Sequence, residues 1–113
     1  MTTIYHNPRC RKSRETLTLL QENGEDPQII LYLEEVPSEG EIRQLLDQLG
    51  ISPMELIRKQ ESDWKENFKG KELTDQEIIL AMHQYPKLIE RPVVVKKGKA
   101  ALGRPPENVL KIL

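Results

Sequence analysis

The chain has 113 residues, 37% of them apolar and 31% charged, a balance that fits one soluble globular domain, 1–113, rather than a disordered segment. Its net charge of −1 argues against a nucleic-acid protein driven by bulk basicity. One cysteine excludes an intrachain disulfide, no apolar run approaches the ~20 residues of a membrane span, and no basic-then-apolar leader opens the chain, so a reducing cytoplasm is the expected compartment.

Thr2 to Tyr5 reads as a short strand that stops at the polar loop His6-Asn7-Pro8-Arg9-Cys10. Ser13 to Asn23 reads as a helix with Leu17 and Leu20 on one face, ended by Gly24. Gln28 to Leu33 (QIILYL) is a dense apolar run, better suited to the centre of a sheet than to its edge. Strand, helix and strand over this span predict a right-handed βαβ unit with parallel strands.

The middle reads as helical. Ser38 and Glu41 form a capping box ahead of Ile42, Leu45, Leu46 and Leu49, with Gly50 as the stop. Ser52-Pro53-Met54-Glu55 predicts another helix start, with serine at the cap and proline at the first helical position. Thr74 to Glu77 opens a third helix carrying Ile78, Ala81, Met82 and Tyr85, which Pro86 stops. The period then changes. Val93 to Lys96 and Lys99 to Leu102 flank the turn signal Lys97-Gly98 and predict an antiparallel hairpin. Pro105 or Pro106 opens a last helix through Val109, Leu110 and Leu113. The order βαβ, helices, ββα is that of an α/β, thioredoxin-like fold with a helical insertion and a mixed four-stranded sheet.

Cys10 lies where the first strand hands over to the first helix, so the amides of Arg11, Lys12 and Ser13 are the orphan donors of that helix start. Arg9, Arg11, Lys12 and Arg14 all lie within four residues of it, and a protonated His6 would add a further charge. Amides and cations of this kind lower a thiol pKa. The plain alternative is a half-buried cysteine acting as a small hydrophobe. Its polar and charged neighbours favour a reactive thiol. Cys10 to Ser13 is a CxxC spacing with serine in the second place, so any redox cycle needs a second thiol from elsewhere. Arg91 precedes Pro92 and Arg104 precedes Pro105, one on each side of the hairpin. Such a hairpin can bring both guanidiniums to one end of the sheet, where they would clamp a tetrahedral oxyanion. The alternative is two surface arginines. Pro92 is a candidate cis proline beside the thiol, which sequence alone does not decide.

In order, IYHNPRCRKSRETL, IILYLEEVPS, LIRK, LIERPVVV and ALGRPPENVLKIL make the chain resemble the ArsC-type arsenate reductases of the glutaredoxin-linked kind, over essentially its whole length. The likeness is greatest to the short bacterial ArsC-like branch with a basic residue before the cysteine. The resemblance implies Cys10 as nucleophile, His6 as its thiolate-stabilising histidine, and Arg14 as the arginine of the same motif. It implies Arg58, Arg91 and Arg104 as the oxyanion-binding arginines, and a cis bond at Pro92. It implies arsenate as substrate, glutathione and glutaredoxin as external reductants, and no bound cofactor or metal. A monomer is expected, with no nucleic-acid or membrane partner. Arg9, Arg11 and Lys12 stand where better-studied family members carry smaller or less charged residues, which bears on the choice of anion or thiol partner. Two other functions compete: a general monothiol oxidoreductase acting on glutathione mixed disulfides, and an Spx-like regulatory binding module.

Overall fold

A computed structural model describes all 113 residues. The chain divides into two compact units, one formed by residues 1–35 and 91–113, the other by residues 36–90.

The first unit holds β1 (Thr2–Tyr5), α1 (Arg11–Glu22), β2 (Gln28–Ile30), β3 (Val93–Lys96), β4 (Lys99–Leu102) and a closing 3₁₀ segment, Pro106–Ile112. The strands form one mixed sheet in the order β2-β1-β3-β4. β1 runs parallel to β2, with Ile4 beside Ile29, and antiparallel to β3, with Ile4 beside Val94. β3 and β4 form the expected hairpin, pairing Val94 with Ala101. Its turn places Lys97 at φ 51° and Gly98 at φ 78°, the doubly positive pair that a two-residue hairpin needs. The core is a cluster of Ile4, Leu20, Val94 and Val109, none of them exposed, with Leu17 and Ile112 packed against it. This is the thioredoxin-like α/β arrangement that the element order predicts.

The second unit is helical. α2 (Glu39–Leu49) starts in the Ser38–Glu41 capping box and ends at Gly50, which takes the left-handed conformation. It buries Ile42, Leu45 and Leu46. α4 (Asp75–Gln84) starts in a Thr74–Glu77 capping box and buries Ile78, Ile79, Ala81 and Met82. Between them lies α3 (Ser62–Asn67), whose Trp64 stacks on Phe68 at 5.5 Å. No helix in the chain is long and apolar enough to cross a membrane.

The structure corrects several expectations. QIILYL is not a central strand: β2 keeps only Gln28–Ile30, sits at the sheet edge, and leaves Ile29 43% exposed. After Ile30 the chain turns, because the Leu31 carbonyl accepts from the amides of Glu34 and Glu35 at 2.9 and 2.8 Å. Tyr32, 1% exposed, takes up the apolar character of the run. The helix expected at Ser52 is a single 3₁₀ turn, Pro53–Leu56, after which Ile57 bridges Ile89 in extended geometry. The last helix is 3₁₀ throughout. α3, six residues long, is too short to show a period in the sequence.

One polar cluster ties three segments of the sheet unit together. The Thr2 hydroxyl donates to Glu25, and Lys96 Nζ lies 2.9 Å from the other Glu25 oxygen. The Thr2 hydrogen bond first, then Lys96 and the chain's amino terminus, hold the Glu25 carboxyl below its usual range against a smaller opposing effect of burial. A depressed folded-state value gives stability that is present above the unfolded carboxylate pKa, ~4.3, and lost as the pH falls through the folded value. Glu25→Gln should therefore lower the urea midpoint at pH 7 and make it less sensitive to acidification toward pH 3. Parallel wild-type and variant midpoints across that range would contradict this role.

Candidate active site

Cys10 is the N-cap of α1, in extended geometry at φ −95° and ψ 122°. Its amide donates to the Asn7 carbonyl at 3.0 Å, and its carbonyl accepts from the Arg14 amide at 3.0 Å, so the turn before it and the helix after it both fix its backbone. The sulfur is half-buried. From the far end of the sequence, Arg104 Nη2 donates to Sγ at 3.5 Å. Arg104 Nε in turn donates to the Arg91 carbonyl at 2.7 Å, and the Gly103 amide donates to the Pro92 carbonyl at 2.9 Å. Asn108 Nδ2 holds the Arg104 carbonyl at 2.9 Å. The Arg91–Pro92 and Arg104–Pro105 bonds are both cis; the first was the expected candidate, the second was not foreseen.

These groups set the charge on the sulfur. Burial pushes the Cys10 thiol up. The Ser13 backbone amide, the Arg91 guanidinium and the charge of Arg104 outweigh it, and the thiol lies below the ordinary cysteine range. The helix start contributes as expected. The charges that lower the thiol are those of Arg91 and Arg104, from the far end of the chain. Arg9, Arg11, Lys12 and Arg14 are all exposed. Arg11 turns to Glu15 at 3.0 Å, and Arg14 Nη1 donates to the Pro8 carbonyl at 3.0 Å, bracing the loop.

His6 is buried, and its Nδ1 lies 2.6 Å from Ser13 Oγ. Burial, and then the charge of Arg14, hold its imidazole below the usual range, so the neutral ring is favoured near pH 7. The further charge that a protonated His6 would bring is thus not favoured near that pH. Ser13 Oγ also accepts the Asn7 amide at 3.0 Å, and Ser13 is fully buried. The serine that replaces the second cysteine thus has two tasks: its hydroxyl locks the loop through His6 and Asn7, and its amide faces the thiol. Only the amide was legible beforehand. Arg58 belongs to the helical unit, where its guanidinium lies 3.5 Å from both Glu61 and Glu90.

The ArsC family model matches residues 5–112. The uncharacterized protein YfgD of Escherichia coli K12 is 53% identical over 112 residues, 97% of this chain and 94% of its own. The arsenate reductase of Haemophilus influenzae is 43% identical over 112 residues, 97% of each chain. Among solved structures, the arsenate reductase from Vibrio cholerae superposes with a TM-score of 0.96 at 50% identity, over 99% of this chain and 97% of its own.

Gly103 sets how closely the two arginine loops approach. A Cβ there would strike Thr16 Oγ1 and come within 2.7 Å of Pro92 Cγ. Thr16 is fully buried and its hydroxyl is bound to the Lys12 carbonyl at 2.8 Å, so it has little room to move. Gly103→Ala should cost about 1–3 kcal/mol in urea unfolding, the usual range for overpacking. It should also slow Cys10 alkylation at pH 7, because Arg104 is displaced with its neighbour. A variant matching wild type in both measurements would refute this packing.

Proposed function

This chain belongs to the ArsC family, and from that premise we propose that it reduces arsenate to arsenite, with glutathione and glutaredoxin as external reductants. The observation that carries the reading is the contact of Arg104 Nη2 with Cys10 Sγ at 3.5 Å, with Arg91 acting on the same sulfur. Two guanidiniums that favour a thiolate also suit the tetrahedral oxyanion it attacks.

In this reading the Cys10 thiolate attacks arsenic(V). The S–As bond forms, and one arsenate oxygen leaves with its electron pair and is protonated to water. Arg91 and Arg104 neutralise the oxyanion as this charge moves. A glutathione thiolate then attacks Cys10 Sγ. The S–S bond forms, the S–As electron pair stays on arsenic, and arsenite departs as arsenic(III). Glutaredoxin attacks the glutathione sulfur of the mixed disulfide and returns Cys10 as thiolate. His6 acts through Ser13, holding the loop, and Arg14 braces the same loop at Pro8. Arg58 enters as a third oxyanion ligand on the family resemblance alone.

The test is NADPH oxidation coupled through glutathione reductase, glutathione and glutaredoxin. Arsenate-dependent oxidation is expected, absent in Cys10→Ser and lowered roughly 10²–10³-fold in Arg104→Ala, the usual loss for one oxyanion donor. No arsenate-dependent rate at tens of millimolar arsenate, above the ordinary KM range of ~1 μM to ~1 mM, would reject the assignment.

A further inference from the structure

A cavity of about 290 Å³ lies beside the cysteine loop and has no part in the steps above. It opens at the carboxyl ends of the parallel strands β1 and β2, the place where open α/β sheets receive ligands. His6, Asn7, Pro8 and Arg9 form one wall; Leu31, Leu33 and Glu34 form the other. Hydrogen bonds fix both walls. The Asn7 carbonyl binds the Cys10 amide at 3.0 Å, Asn7 Oδ1 accepts the Arg9 amide at 3.0 Å, and the Leu31 carbonyl accepts the Glu34 amide at 2.9 Å. The lining is apolar at the leucines, with one cation, Arg9, and one anion, Glu34, both exposed.

In sheet order the loop that carries Cys10 leaves β1, between the strand on the cavity's far side and the two strands beside the arginines. Arg91 leads into β3 and Arg104 follows β4, whereas the cavity lies toward β2, with β1 between. Displacement at a divalent sulfur is in line: incoming thiolate, attacked sulfur and departing atom lie close to one axis. With arsenic held by the arginines, the second thiol must arrive from the side away from them, and the cavity lies on that side in sheet order.

We propose that this cavity seats glutathione, a glycine-end carboxylate on Arg9, the peptide against Leu31 and Leu33, and the γ-glutamyl ammonium toward Glu34, with its sulfur directed at Cys10. The proposal rests on the reductase reading for its ligand. It also gives Arg9, an exposed cation on the cavity wall, a task.

S-methylglutathione, which cannot form a disulfide, is the probe, followed by amide chemical shifts in the full chain without arsenate. The expected shifts fall on Asn7, Arg9, Leu33 and Glu34. Leu33→Trp, which fills the cavity, should abolish them. Arg9→Glu, an exposed change that leaves the core untouched, should weaken binding about tenfold, the worth of one charge-assisted hydrogen bond. In the coupled assay both variants should raise the KM for glutathione and leave that for arsenate unchanged. Shifts confined to the Arg91 and Arg104 loops, no shifts, or binding unchanged in both variants would overturn the proposal. Binding at the cavity by a chain that never reduces arsenate would sink the reductase reading and keep the seat. Arsenate turnover with an unaltered glutathione KM in both variants would do the reverse.

Discussion

The hydrogen bond from Arg104 to the Cys10 sulfur joins residues 94 positions apart, and the proposed chemistry depends on that closure. β1 delivers Cys10 to the start of α1, and the β3–β4 hairpin returns two arginines to the same end of the sheet. Antiparallel pairing of Tyr5 with Val93, and of Val93 with Leu102, sets the level at which the three loops leave the sheet. Arg104 is held at its Nε by the Arg91 carbonyl and at its own carbonyl by Asn108, so its guanidinium is fixed beside the sulfur. Preorganised donors of this kind cost little reorganisation when charge develops.

The electrostatics divide into two classes of cation. Arg91 and Arg104 sit partly buried, where a charge acts through less solvent and favours the thiolate. Arg9, Arg11, Lys12 and Arg14 are exposed, and solvent and local partners absorb their charge. The first class suits a bound oxyanion; the second faces whatever approaches from solution. His6 belongs to neither: its neutral ring orders Ser13 and with it the amide that faces the sulfur.

Much of this was legible in the sequence because local chemistry decides it. Serine and threonine capping boxes fixed the starts of α2 and α4, and Lys97-Gly98 fixed the hairpin turn. Arg91 and Arg104 stood out because each precedes a proline beside a strand. The errors have a common source. Proximity along the chain is a poor guide to charge here, since Arg11 and Arg14 are exposed while Arg91 and Arg104, from the far end of the chain, lie partly buried by the sulfur. Apolar density misled for QIILYL, since Tyr32 is buried in a turn rather than in a strand. The close approach at Gly103 was invisible because it depends on Thr16 and Pro92, brought there by the fold.

The Cys10 thiol pKa is the deciding measurement, read from the pH dependence of alkylation in the wild type, in Arg91→Ala with Arg104→Ala, and in Arg9→Ser with Lys12→Ser. The wild-type value should lie below the free-thiol value of about 8.5. It should rise toward that value when Arg91 and Arg104 are removed, and hold when Arg9 and Lys12 are. A wild-type thiol that titrates like free cysteine, or one that responds to the loop cations and not to the hairpin arginines, would contradict control of the sulfur by Arg91 and Arg104.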